Sequence, residues 1–264
     1  LMTVRIAQEI GLDKIINFSE KLKIYEKPDE LMSISLGSAE TTLLKITSAY
    51  SSFVNGGKLV EPILIDRIQD SEGKTIFKNK LRFCDNCDLI SYTGENIPLI
   101  KNNYQQIFSP QTAYQITSIL EGVIERGTGK KLRDLNLQLA GKTGTTNKNT
   151  DAWFVGFTSN LVIGVYVGYD NPRTLGKFET GSKTALPIFK EFVKKAVNKY
   201  EARPFKVAKG IKMMVVDASN GKKADSNSKD TIIEAFKEEK IANNFKLGND
   251  NKQNISKNNI LKFY

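Results

Sequence analysis

Lys142, Thr143 and Thr145 stand in the run Leu139-Ala140-Gly141-Lys142-Thr143-Gly144-Thr145-Thr146, which is followed by Asp151-Ala152-Trp153-Phe154-Val155-Gly156-Phe157. A cation, two hydroxyls on one side of a strand, and main-chain N–H groups that Gly144 leaves approachable make a receptor for a carboxylate beside a reacting carbonyl. A basic strand end leading into a polar turn is the plainer alternative, and a bare K-T-G triplet favours it. Composition narrows the chemistry such a receptor could serve. The 264 residues include two Cys and no His, which excludes Ser-His-Asp and Cys-His nucleophiles, His-ligated metals and Cys₄ zinc. Any hydrolytic or acyl-transfer base must therefore be Lys, Glu or Asp. Neither a metal site nor a cofactor is expected.

Those side chains need a strand and elements to support it. Strands are predicted over 137–143, 152–158 and 161–169, the last two joined by Ser159-Asn160 and so antiparallel. On that reading Lys142 ends an apolar strand, with its ammonium at the sheet edge. Val4, Ala7 and Ile10 recur at helical spacing before Gly11, and 13–22 forms a second short helix. Residues 42–55 make a firmer helix, with Leu43, Ile46, Tyr50 and Phe53 in one stripe and Gly56-Gly57 after it. Ser109-Pro110 opens another, with Ala113, Ile116, Leu120 and Val123 on one face and Gly127 past its end. A last helix over 185–200 is expected to turn Phe189, Phe192, Ala196 and Tyr200 inward. Residues 62–68 and 75–77 flank the turn 70–73 as a hairpin, and 79–108 read as irregular. A second hairpin starts at 213–217 and turns at Asn220-Gly221, and the chain after Lys240 is expected to fray. Helices, a run of strands and a closing helix give the α+β class, an antiparallel sheet flanked by helices.

The K-T-G run with its flanks resembles the third motif of the penicillin-binding proteins and serine β-lactamases. The transpeptidase domain of class A, type 1A, penicillin-binding proteins is most similar. The same family is echoed in order by Thr3-Val4-Arg5-Ile6-Ala7-Gln8, Leu36-Gly37-Ser38, Ser48-Ala49-Tyr50, Asn55-Gly56-Gly57, Ser109-Pro110-Gln111-Thr112-Ala113-Tyr114 and Gly168-Tyr169-Asp170-Asn171-Pro172-Arg173. The likeness covers about 1–202, the C-terminal portion of that transpeptidase domain. Residues 203–264 form a basic extension in which 232–237 resembles the family's own C-terminal extension. The resemblance implies a peptidoglycan D,D-transpeptidase that forms an acyl-serine on D-Ala–D-Ala stem peptides, or on β-lactams, with Lys as the base. Lys142 would support the serine-side network electrostatically. The Thr143 and Thr145 hydroxyls, with Gly144 between them, would hold the terminal carboxylate, and the Thr145 N–H would be one oxyanion-hole donor.

The family also requires a Ser-x-x-Lys on a helix and a Ser-x-Asn before K-T-G. Ser71-Glu72-Gly73-Lys74 and Ser226-Asn227-Ser228-Lys229 match the first as text, and Ser256-Lys257-Asn258 the second, but a turn and a polar tail account for them better. No nucleophile is assigned. The segment like Thr3-Val4-Arg5-Ile6-Ala7 follows Ser-x-Asn in the family, so the chain is read as an N-terminally truncated transpeptidase fold whose partner is a missing upstream fragment. An inactive remnant or binding module of the family is the competing reading.

Charge and cysteines add little. The net charge is +10, of which 203–264 carries +6 with Lys spread among Asn and acids rather than interleaved with Arg and aromatics. A nucleic-acid-binding role is therefore the lesser reading, and no nucleic-acid partner is expected. Cys84-Asp85-Asn86-Cys87 is either a short disulfide loop or two spectator thiols. No apolar run reaches the ~18 residues of a membrane span, and no signal-peptide pattern is visible. The family's inner-membrane anchor and periplasmic location are thus expected of the family, not legible in this chain.

Overall fold

The computed structural model describes residues 2–79, 82–85, 99–197 and 203–244. Gly11 separates two short amphipathic helices, α1 (Met2–Ile10) and α2 (Leu12–Lys21), whose ends match the expected periodicity. Thr42 caps α3 (Leu43–Val54) by accepting a hydrogen bond from the Lys45 N–H at 3.2 Å. The hairpin β1 (Arg67–Gln69) and β2 (Thr75–Lys78) closes around the 70–73 turn. Its first strand is shorter than predicted: before Arg67 the hairpin continues only as far as Asp66, whose carbonyl accepts from the Asn79 N–H at 2.8 Å. The segment read as irregular contains a second antiparallel pair, β3 (Arg82–Asp85) with β4 (Leu99–Asn102), whose strands lack the apolar alternation that would announce them.

Ser109 caps α4 (Pro110–Glu125), accepting from the Thr112 N–H at 3.2 Å with Pro110 in the first turn. The main sheet is antiparallel in the order β5 (Ala140–Thr145), β6 (Ala152–Phe157), β7 (Val162–Val167). Phe157 pairs with Ala140 and Val162, and Ala152 with Thr145 and Val167, so β6 is central and both its faces are covered. On one face Ala140 and Phe157 pack with Leu120 of α4 and with Tyr50 and Phe53 of α3. A Cβ on Gly164 would lie 2.1 Å from Thr47 Oγ1, so glycine there lets α3 sit directly on β7. On the other face Ala152 and Phe154 pack with Leu186, Phe189 and Val193 of α5 (Ala185–Ala196).

That burial corrects the expected phase of the last helix. Phe189 is fully buried, but Phe192 is 51% exposed and Ala196 is exposed, while Leu186 and Val193 take the inward places. Tyr200 lies outside the described residues. The C-terminal pair β8 (Ile211–Asp217) and β9 (Thr231–Lys237) leads into α6 (Glu238–Asn244). Asn220-Gly221 does form a tight return, bridging Val216 to Lys223, but the lasting partner of β8 is β9, further along the chain. This unit is tied to α4. Gln115 donates to the Ala235 carbonyl at 2.9 Å, Lys237 to Thr112 Oγ1 at 2.8 Å, and Arg126 pairs with Glu234 at 3.0 Å. Phe205 inserts beside Leu120, Ala140 and Phe157, and its N–H donates to Gln138 Oε1 at 2.9 Å.

Candidate active site

The strand β5 begins three residues later than predicted and continues through Thr145, so Lys142 lies within it rather than at its end. The expected sheet edge is still where Lys142 sits, for a different reason: β5 is the outer strand of the three. Thr146 donates its N–H to the Asp151 carbonyl across the pair, at 3.2 Å. By strand alternation the Lys142 and Gly144 amides then face β6, and the Thr143 and Thr145 amides face the free edge. The Thr143 carbonyl is on that edge too and accepts from Lys142 Nζ at 2.7 Å. Lys142 is exposed and has no carboxylate partner among the described residues.

Both hydroxyls are on one face, as expected, and each has a partner. Thr143 Oγ1 is 3.0 Å from Thr128 Oγ1, where either group can donate. Thr145 Oγ1 accepts from the Gly181 N–H at 3.0 Å. Sequence reading missed Thr128 and Gly181, which come from the turn after α4 and the turn before α5 and reach β5 only through the fold. It also left Asp151 without a role. The Tyr166 hydroxyl donates to Asp151 Oδ1 at 3.0 Å, and that bond, followed by loss of water and the charges of Asp151 and Asp170, holds the phenol's pKa above its usual value. The Tyr166 ring lies 4.7 Å from that of Trp153, which pairs with Gly144, so the flank of the strand is stiffened.

The other candidates fall apart as sites. Ser71 and Lys74 stand in a turn organised by Asp70, whose Oδ1 accepts from the Glu72 N–H at 3.0 Å and the Lys74 N–H at 2.8 Å. Ser226 and Lys229 flank a similar turn around Asp225, which accepts from the Asn227 N–H at 2.8 Å. Ser256-Lys257-Asn258 lies outside the described residues; Cys84 lies on the β3 backbone and Cys87 outside them. Cavities of about 450, 420 and 340 Å³ open elsewhere, around Lys190, Ser48 and Tyr25, and none is lined by the K-T-G strand. The candidate site is the outer strand β5, with one ammonium and two outward amides at its edge and two hydroxyls on one adjoining face.

Residues 2–194 match the family described as the penicillin binding protein transpeptidase domain. The chain belongs to this family. It is 43% identical over 239 residues to penicillin-binding protein 1A of Rickettsia prowazekii (strain Madrid E), covering 90% of this chain and 30% of the relative. It is 35% identical over 215 residues to penicillin-binding protein 1A of Neisseria flavescens, covering 80% of this chain and 25% of that one. The crystal structure of penicillin-binding protein 1A from Haemophilus influenzae superposes with a TM-score of 0.73 at 27% identity, over 89% of this chain and 38% of that one. The chain thus spans about 30% of the length of the Rickettsia relative. The α+β transpeptidase fold inferred from the order of the elements and the family-like segments is the fold observed.

Proposed function

We propose that this chain supplies the K-T-G wall of a peptidoglycan D,D-transpeptidase. One observation supports the reading above all: in a penicillin-binding protein domain the outer strand β5 carries the Lys142 ammonium and the Thr145 N–H at its edge and both threonine hydroxyls on one adjoining face. The ligands assigned are peptidoglycan stem peptides ending in D-Ala–D-Ala, and β-lactams, which share a carboxylate set close to a reactive carbonyl. Thr143 and Thr145 bind that carboxylate, and the Thr145 N–H stabilises the oxyanion as the carbonyl becomes tetrahedral. The Lys142 ammonium lowers the energy of the negative charge gathered there. In the reaction a serine oxygen attacks the penultimate D-Ala carbonyl, the peptide C–N bond breaks, and the terminal D-Ala leaves with the serine's proton on its amine. An amine of a neighbouring stem then attacks the acyl-serine carbonyl, the ester C–O bond breaks, and the amine's proton passes to the serine oxygen. The serine, its Lys base and the Ser-x-Asn are assigned to a segment outside these 264 residues, since Ser71 and Ser226 lie in turns. Residues 203–264 are assigned as an extension rather than as part of the reaction site; its strand β9 is braced on α4 through Ala235 and Glu234.

Labelled penicillin tests the reading. The chain alone should stay unlabelled, and the chain joined to, or co-folded with, a segment bearing Ser-x-x-Lys and Ser-x-Asn should become covalently labelled on that serine. An adduct on the isolated chain would return the nucleophile to a residue such as Ser71. Absence of label in the joined protein would instead favour the family remnant, a binding module without turnover.

A further inference from the structure

We propose that Gly181 is the positioning residue of the carboxylate receptor, fixing the direction in which Thr145 donates its hydroxyl proton. The inference rests on the receptor reading given above. A threonine hydroxyl has one donor and two acceptor sites, and on an exposed strand its orientation is otherwise free. The Gly181 N–H occupies one acceptor site of Thr145 Oγ1 at 3.0 Å. An oxygen held by an N–H cannot turn its own proton toward that N–H, so the proton is directed away from Gly181, and Thr145 is exposed, which leaves that proton to a ligand.

Only glycine fits this position. A Cβ at Gly181 would lie 2.4 Å from the Trp153 carbonyl oxygen and 2.5 Å from that of Gly144, both backbone atoms of the β5–β6 pair. The donor is also firmly placed. The Gly181 carbonyl accepts from the Leu186 N–H at 2.9 Å, at the start of α5, and Leu186 is fully buried in the core. The loop before it is pinned where Leu175 donates to the Asn149 carbonyl at 2.8 Å. Thr143 has no such fixed polarity, because its partner is the Thr128 hydroxyl and either can donate. The two threonines therefore differ: Thr145 has one acceptor site filled and its proton kept away from that side, and Thr143 can turn either way.

The test uses the full chain, ¹⁵N-labelled, with an N-acetylated peptide ending in D-Ala–D-Ala and the same peptide capped as a C-terminal amide. Amide exchange at Gly181 should be about tenfold faster in Thr145→Val than in the native chain and restored in Thr145→Ser, as expected for loss of one hydrogen bond. Gly181→Ala should weaken the free-acid peptide about tenfold and leave the capped peptide unchanged. Unchanged exchange in Thr145→Val would overturn the proposal even if Gly181→Ala fails to fold. Equal weakening of both peptides, or none, would overturn it as well, by giving Gly181 a merely structural role or no role. A native chain that does not distinguish the two peptides would refute the receptor reading itself, and this proposal with it.

Discussion

Glu121→Gln should stabilise the chain in a strongly pH-dependent way. Glu121 lies on α4 next to buried Leu120, one helical turn before Glu125. Burial, then repulsion from Glu125, raises its pKa from the ordinary 4.5 to about 7. Arg133 pairs with Glu125 and Arg126 with Glu234, and no cation pairs with Glu121 among the described residues. The sign follows from which state holds the proton. Between 4.5 and about 7 the unfolded chain has released it while the folded chain still binds it. Stability is therefore full below about pH 4.5, declines as pH rises toward 7, and stays reduced above it. At about 1.36 kcal/mol per pKa unit the penalty has a ceiling of about 3 kcal/mol, and the water that a half-buried side chain retains brings it to about 1–3 kcal/mol. Urea unfolding of both proteins near pH 4 and near pH 8 measures it, with Glu121→Gln more stable by about 1–3 kcal/mol only at the higher pH. The same difference at both pH values would refute the reasoning, because it would show that no proton is linked to folding at Glu121.

Three further outcomes follow from particular contacts. Phe189→Ala removes a fully buried ring packed edge-on at 4.7 Å against Phe154, and should cost about 3–5 kcal/mol in chemical unfolding, loosening α5 from the sheet. Ser52→Ala should raise stability by about 1 kcal/mol, since Ser52 Oγ is buried without a hydrogen-bond partner among the described residues. Asp151→Asn should lower the Tyr166 pKa toward its ordinary value in an ultraviolet titration, because the bond to Asp151 is the leading cause of the rise.

The elements with local end signals were readable from the sequence. Ser109-Pro110 carries its own capping chemistry and α4 begins where it predicts, while α3 was legible from its apolar stripe and the Gly56-Gly57 after it. The phase of α5 was not readable, because Phe189, Phe192 and Val193 are all apolar and only the position of β6 decides which face turns inward. The reach of β5 was hidden in the same way: its ends are set by the length of β6, not by its own composition. Asn220-Gly221 announced a hairpin correctly as a turn, but the better apolar partner for β8 was 231–237. At the site, Lys142, Thr143, Gly144 and Thr145 were visible because their residue types stand in a K-T-G run whose flanks resemble the penicillin-binding proteins. Their partners Thr128 and Gly181 were not, since neither is near β5 in sequence and both contacts exist only once α4 and α5 have packed.

The central claim is that the free edge of β5 receives a carboxylate beside a reacting carbonyl. A crystal structure of the chain bound to a D-Ala–D-Ala peptide or a penicillin tests this most directly. The carboxylate should lie within hydrogen-bonding distance of both Thr143 Oγ1 and Thr145 Oγ1, with the carbonyl oxygen on the Thr145 N–H and Lys142 alongside. A ligand seated elsewhere, or one that turns its carboxylate away from both hydroxyls, would contradict the account.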